Sequence, residues 1–600
     1  MATLTDEQKA VVEAAKTGNH LKVVAFAGAG KTFTLVEVAE ALAGKRILYL
    51  TFSKALAEEA EKKFGDLADA MTNHALAYQK TGKPFDEKKR LRGSLFQARR
   101  LLAKDMPGLD DLREWGFRDR EEALFPVLET VNRFTQSEAE TVTAEHIPEI
   151  LRLEIEAAGK RFDDFAACLV PLAQRAWELL SDTEASYPVS HDVYLKLYQL
   201  TRPQLPYDVI LFDEAQDANP AMLGILLPQA AQRIFVGDPH QQIYAWRGAV
   251  NAMDRLQGQE LPLSQSFRFK EHIADEASEL LRLFKGEERQ VRGNPKPKQD
   301  GSTAILSRTN AGALREVLAL LEQGRKVSLV NKIEELTGAL EAAYRLYLGQ
   351  NPCHPEFSLF RSWQQLKLLI ERFPSIAAQY RPYERLVEEY KDSIPKVCRT
   401  LRNSLVDEDS AEVVVSTAHR SKGREWDRVT LAEDFTGVTL AQENPTHRCV
   451  KLYPEEANLT YVAFTRARDT LVKGAFTEAL ERQKDLARAL KAGKLQLCTP
   501  EIEAQARKAE PRVPEIEAQA RKAEPRVPEV VVELPPGMYV NSLKDIEVLI
   551  GRRAEQDLLH PRTGKVLVEQ GKIITRSTVK QLENEDFRII GSTLAQTREV

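Results

Sequence analysis

The sequence predicts an α/β protein of two parallel-sheet lobes, each interrupted by a mainly helical insertion, with a small module tethered at its C-terminal end. Three observations predict it. Short β-branched runs recur, each followed by a glycine-containing or polar loop and then a helical pattern, as in buried parallel strands. Two helical stretches, a charge-rich one at residues 83–184 and an amphipathic one with aromatic residues at 332–403, break that alternation. Finally, EIEAQARKAEPRVP stands twice in tandem, at Glu501–Pro514 and Glu515–Pro528, and its prolines mark a tether. The expected boundaries are 1–82 with 185–260 for the first lobe and 261–331 with 404–497 for the second. The tether is 498–536 and the module 537–600.

The stretch KVVAFAGAGKTFT, Lys22 to Thr34, is the centre of the first lobe. Val23, Val24 and Phe26 form a short apolar strand that breaks into Ala27-Gly28-Ala29-Gly30, and Lys31-Thr32 opens a helix. Strand, glycine loop and helix start are the context of a phosphate-binding loop. Small residues let backbone N–H groups curl round a polyphosphate, and the helix N-terminus favours its charge. The cradle runs through Ala27, Gly28, Ala29, Gly30, Lys31, Thr32 and Phe33, with Lys31 on the β- and γ-phosphates of ATP and the Thr32 hydroxyl on Mg²⁺. The strict pattern fails at its first position, Ala25; the alternative is a tight turn with an exposed lysine.

Before this strand, Thr5 and Gln8 have the spacing of a capping box. Gln8 either caps the first helix or reads an adenine edge, since an amide both donates and accepts. Strands are expected at Arg46–Phe52 and Asp69–Thr72. Loops at the carboxyl ends of parallel strands hold ligands, so Phe52, Lys54 and His74 are placed to face one other than ATP. Core packing for Phe52 and a solvated helix start for Lys54 are the alternatives. The insertion opens with a basic run (Lys88, Lys89, Arg90, Arg92, Arg99, Arg100, Lys104), either a solvated helix face or a nucleic-acid contact.

DVILFDEAQD, Asp208 to Asp217, ends an apolar strand on two acids. Asp213 can hold Mg²⁺ through water and Glu214 can act as general base; otherwise the pair begins a helix. RIFVGDPHQQIYAWRG follows, with Gln241 placed to sense a γ-phosphate and Tyr244, Trp246 and Arg247 suited to base stacking or to the core.

The second lobe has candidate strands at Thr303–Leu306, Lys326–Val330, Glu412–Ser416 and Arg428–Ala432, with Arg268 early in the block. STAHRSKGREWD carries His419, Lys422, Gly423 and Glu425 on a loop after a strand. EEANLTYVAFTRARDTL puts Arg466 and Arg468 on a polar turn, where arginines of a second lobe would meet a triphosphate. In the terminal module, Lys565–Val568 and Lys572–Thr575 read as two short strands before a helix from about Thr578.

Composition fits a globular protein in water: 43% hydrophobic, 29% charged, and no apolar run near the roughly 20 residues of a membrane span. The start reads as an amphipathic helix and not as a signal peptide. The five cysteines are scattered without a CxxC pair, which argues for a reducing, cytoplasmic setting. With a net charge of -5, nucleic-acid binding would come from local basic surfaces and stacking.

From Leu4 to about Leu471 the chain resembles superfamily 1A DNA helicases of the UvrD/Rep type. GDPHQQIYAWRGAVNA, LSQSFRF and STAHRSKGREWD resemble most the motor of the F-box DNA helicase branch. The resemblance implies two RecA-like lobes with ATP and Mg²⁺ between them and single-stranded DNA across their tops. It makes Gln8 the adenine reader, Arg268 and Arg466 arginine fingers, Gln241 the γ-phosphate sensor and Glu425 a ribose contact. Phe52, His74, Tyr244, Trp246 and His419 fall within its strand-contacting motifs. It also implies 3′ to 5′ movement on single-stranded, tailed or forked DNA, in repair, recombination control or replication. The expected origin is bacterial or phage, with a nucleoid-associated protein. The tail segment DLLHPRTGKVLVEQGKIITRSTVKQL resembles a piece of large bacterial RNA polymerase subunits, which makes that polymerase a candidate partner.

Overall fold

Six parallel strands form a first sheet, the central ones rich in β-branched and aromatic residues: β1 (Leu21–Ala25), β2 (Ile47–Thr51), β3 (Asp69–Thr72), β4 (Val209–Phe212), β5 (Gln232–Gly237) and β6 (Gln259–Leu263). Their spatial order is β3-β2-β4-β5-β1-β6. A computed structural model describes residues 3–92, 94–117, 119–244, 250–357, 360, 362–372, 380–435, 440–441, 449–497, 558–559 and 566–568. Alternate residues of a strand point to opposite faces, and both faces are covered. Val23, Ala25, Ile47 and Tyr49 pack under the first helices, while Val24, Leu48, Leu50 and Phe212 share a core with the first insertion. Helices Arg120–Thr135 and Phe162–Ser181 dominate that insertion.

The second sheet has strands β7 (Thr303–Ser307), β8 (Val327–Leu329), β9 (Val413–Thr417), β10 (Trp426–Leu431) and β13 (Ala467–Val472), in the order β13-β10-β7-β9-β8, all parallel. Between β10 and β13, β11 (Leu440–Ala441) pairs antiparallel with β12 (Cys449–Leu452), which pairs with β14 (Gln496–Leu497). The second insertion shares one core with its lobe: Leu336, Leu340, Tyr383 and Leu401 pack with Val327, Val413 and Val415. The fold is therefore the expected pair of parallel-sheet α/β lobes. Residues 498–600 form a separate unit, in which β15 (Leu558–Leu559) pairs antiparallel with β16 (Val566–Val568).

Several local expectations are corrected. Arg466 stands on the expected turn, between helix Pro454–Phe464 and β13, but Arg468 lies within β13, and both are buried, at 1% and 4% exposed. The polar residues of ARDTLV hid an edge strand whose one arginine, Arg468, is paired inside the lobe. Edge strand β6 straddles the boundary expected at 260/261 and pairs with β1. In the basic run, Arg90 is buried and donates to the carbonyls of Tyr187, Asp182 and Leu180 (2.7, 2.6 and 3.0 Å), closing a helix end. The strand expected at Lys572–Thr575, the helix from Thr578, and Trp246 and Arg247 lie outside the described residues.

Candidate functional site

The order β4-β5-β1 brings three strand ends together, so the loops after them face one cleft. After β1, Gly28 and Gly30 both take φ of +74°, the left-handed region open to glycine. A Cβ on Gly28 would lie 2.6 Å from Ser266 Oγ and 2.7 Å from Arg268 Cβ, so the loop needs glycine there for close approach as well. Helix Lys31–Ala41 starts at once, aiming its first N–H groups into the cleft.

Lys31 Nζ lies 2.5 Å from Glu214 Oε1. Thr32 Oγ1 donates to Asp213 Oδ2 at 3.2 Å, and Tyr49 donates to the same oxygen at 2.8 Å. Burial pushes Asp213 up, helped by the neighbouring Glu214 charge. Burial would also raise Glu214, but Lys31 and Lys422 outweigh it and hold the carboxyl down at about 2. Glu214 itself sits at φ +54°, a strained conformation that turns its side chain toward Lys31. Two hard oxygens converging at Thr32 and Asp213 fit a Mg²⁺ ion, which prefers oxygen ligands and keeps several waters.

The second lobe enters from the opposite side. Lys422, on the loop after β9, donates to Asp217 Oδ2 (2.5 Å) and the Gln241 carbonyl (2.8 Å), and lies 4.0 Å from Glu214. Arg466 Nη2 donates to Gln241 Oε1 at 3.4 Å, while burial, with Arg268 nearby, holds the guanidinium below its ordinary pKa. Arg268 pairs with Glu425 at 2.6 Å. Arg468 is committed instead to Asp300 and Asp427 in its own lobe. The back of the phosphate loop is shared: Phe26 and Ala27 are buried in the second lobe's core with Phe269, Ile273 and Tyr461.

Gln8 caps the first helix and also borders the phosphate loop. Its Oε1 accepts the Thr5 N–H (3.0 Å) in a capping box, and its Nε2 lies 3.1 Å from where a Gly30 side chain would begin. Phe267 lies beside the same glycine and is 47% exposed. Sequence reasoning passed over it; a large apolar residue directly before Arg268 was the available signal.

A second cluster lies behind Lys422. Phe52, 39% exposed, stacks on Tyr244 (6.0 Å, 13°), whose hydroxyl donates to the His419 carbonyl at 3.2 Å. Lys422 Nζ lies 5.5 Å over the Tyr244 ring, touching both clusters. Lys54 and His74 are not in this stack. Lys54 is solvated beside Glu58, and His74 pairs with Asp192 at 3.0 Å.

Asp217 gives a pH test. Burial lifts its carboxyl to about 6 despite Lys422. Between its unfolded value near 3.8 and about 6, the folded chain holds a proton that the unfolded chain has released. This group's stabilisation is therefore complete below 3.8 and lost as pH rises through 6. Asp217→Asn removes the slope. The melting temperature of the parent should gain on that of Asp217→Asn between pH 7.5 and pH 5, by an amount equivalent to about 1 kcal/mol. A constant difference would mean the carboxyl is not held up.

A phosphate loop and strand-end acids in one parallel-sheet lobe, faced by cations of another, define a two-lobed P-loop protein. The chain belongs to the UvrD-like helicase family: residues 4–257 match the UvrD/REP helicase N-terminal domain and residues 315–476 the UvrD-like helicase C-terminal domain. F-box DNA helicase 1 of Gallus gallus is 32% identical over 527 residues, covering 80% of this chain and 49% of its own. F-box DNA helicase protein 1 of Schizosaccharomyces pombe is 31% identical over 509 residues, covering 78% and 57%. The chain thus spans about half the length of the curated relatives it matches. Both are eukaryotic, so the bacterial or phage origin expected from the sequence receives no support from them. A solved structure, "The structure of PRRSV helicase", covers 79% of this chain and 56% of its own at 10% identity and a TM-score of 0.28, too slight a likeness to carry argument. Among the described residues no helix is long and apolar enough to cross a membrane.

Proposed function

We propose that the protein is an ATP-dependent DNA helicase that moves 3′ to 5′ along single-stranded DNA, in repair, recombination control or replication. The observation that carries this is the shared phosphate loop: its front faces Lys31, Asp213 and Glu214, and its back is buried in the second lobe. Any change in the phosphate loop must therefore be felt by the other lobe.

ATP sits with its base between Gln8 and Phe267 and its ribose near Glu425. Its phosphates lie over Gly28 to Thr32. Lys31 transfers its charge from Glu214 to the β- and γ-phosphates, which releases the Glu214 carboxylate to take a proton from the attacking water. Thr32 and Asp213 would hold Mg²⁺, which would supply neutralisation of phosphate charge. Gln241 orients the γ-phosphate, and Arg268 and Arg466 stabilise the charge that develops there. The strand lies on Phe52, Tyr244 and His419, with Trp246, Arg247, Lys54 and His74 as further contacts. Stacking there is sequence-tolerant, at about 1–3 kcal/mol per base.

The polarity rests on the QQIYAWRGA type of segment, a feature the chain shares with 3′ to 5′ members of the family. The deciding experiment compares unwinding of duplexes with a 3′ and a 5′ single-stranded tail. Unwinding from the 3′ tail alone is expected, and preference for the 5′ tail would overturn the polarity. The short second insertion, fused to its lobe by one core, favours one other reading: a translocase that strips bound proteins. That reading predicts protein displacement from the strand with little unwinding of either duplex.

A further inference from the structure

Tyr461 lies in helix Pro454–Phe464 of the second lobe, is fully buried, and has no part in the roles above. Its hydroxyl reaches across the cleft to the phosphate loop. The Ala27 N–H donates to it at 3.0 Å, and it donates in turn to Asp238 Oδ2 at 3.0 Å. The same carboxylate oxygen accepts from Gln241 Nε2 at 2.7 Å, and Gln241 Oε1 accepts from Arg466. One hydroxyl therefore joins the phosphate loop to the glutamine that faces the γ-phosphate.

The surroundings make this contact rigid. The Tyr461 ring meets His240 edge-on at 6.1 Å, and His240 stacks on Phe26 at 6.0 Å. Asn458, on the same helix, donates to the Gln242 carbonyl at 2.8 Å, so the helix grips the glutamine loop on both sides. Asp238 N–H donates to Gln216 Oε1 (3.0 Å), and Gln216 Nε2 donates to Glu214 (2.6 Å), which carries the chain to the water-activating acid. The Gln241 carbonyl accepts from Lys422, whose ammonium lies over Tyr244 in the strand-facing stack. A buried hydroxyl with both its donor and acceptor used cannot be removed without orphaning an N–H and leaving a carboxylate short of a donor.

We infer that Tyr461 is a positioning residue that couples the nucleotide and DNA sites: it ties the phosphate loop and Gln241 to the position of the second lobe. This rests on the helicase function proposed above. When the second lobe shifts on the strand, its helix carries Tyr461 with it, and the Ala27–Tyr461–Asp238–Gln241 chain passes the shift to the γ-phosphate. Linkage is reciprocal, so a nucleotide that closes the cleft must change strand affinity through the same hydroxyl.

The test uses the full chain and Tyr461→Phe, which keeps the ring and deletes only the hydroxyl. Affinity for an oligothymidine strand is measured with and without a non-hydrolysable ATP analogue, beside ATP turnover with and without the strand. The parent should show strand affinity shifted by the analogue about fivefold or more and turnover stimulated by the strand. Tyr461→Phe should bind each ligand alone within about threefold of the parent, while the shift falls below about twofold and stimulation is lost. A merely structural role would weaken both ligands and leave their ratio intact. Asp238→Ala removes the shared acceptor oxygen without touching the ring and should show the same loss. Parent-like coupling in either soluble variant overturns the assignment while leaving the motor in place. A parent with no coupling at all overturns the motor together with it.

Discussion

Lys31→Ala is expected to abolish ATP hydrolysis, lowering turnover at least about a hundredfold, as loss of one preorganised charge-stabilising group does. Lys31 is the counter-ion of Glu214 at 2.5 Å, and its pKa is raised because Glu214 and Asp213 together outweigh its burial. Its removal leaves two adjacent buried carboxylates facing a polyanion, with Lys422 at 4.0 Å the nearest remaining charge on Glu214. The triphosphate then meets repulsion where it had a clamp. The fold should survive, because the loop is shaped by Gly28, Gly30 and the Tyr461 contact and not by the Lys31 side chain. The measurement is steady-state phosphate release with saturating single-stranded DNA, alongside a melting curve. Parent-level turnover in a folded Lys31→Ala protein would remove the motor from consideration.

Glu214→Gln separates binding from chemistry. The amide keeps the size of the carboxylate and leaves Asp213 to balance Lys31, but it cannot accept a proton from water. Hydrolysis should fall by about 10²- to 10⁴-fold, the range of a lost general base. Nucleotide affinity should hold or tighten, since a negative charge next to the γ-phosphate has gone. Single-turnover hydrolysis and equilibrium binding of a fluorescent ATP analogue check the two halves. Collapse of binding would show that the carboxylate builds the site rather than activates water.

The first sheet and its phosphate loop are legible in the chain because local rules suffice. Period-2 burial puts Val23 and Val24 on opposite faces, and Gly28 and Gly30 stand where only a left-handed backbone closes the loop. Asp213 and Glu214 are readable because they end an apolar strand. Edge strands β6 and β13 were missed for the opposite reason. QELPL and ARDTLV carry charges and a proline that an edge tolerates, so neither looks like a strand in isolation. The buried Arg90 and Arg468 look like surface charge in the sequence, since nothing nearby announces the carbonyls and carboxylates that pair with them.

By itself the sequence determined the two α/β lobes, the position of the nucleotide loop and the chemical types gathered at strand ends. These follow from residue periodicity, glycine stereochemistry and the charges that phosphate chemistry needs. Only the tertiary structure decided how the lobes meet. Tyr461 is separated from Ala27 by most of the motor, yet one hydroxyl joins them. Phe267 gains its place beside Gln8 and Gly30, and Lys422 reaches Asp217 and Tyr244, only when the second lobe is set against the first. Such contacts carry no local signal, because their energy comes from burying polar groups against partners that chain folding, and not chain order, brings near.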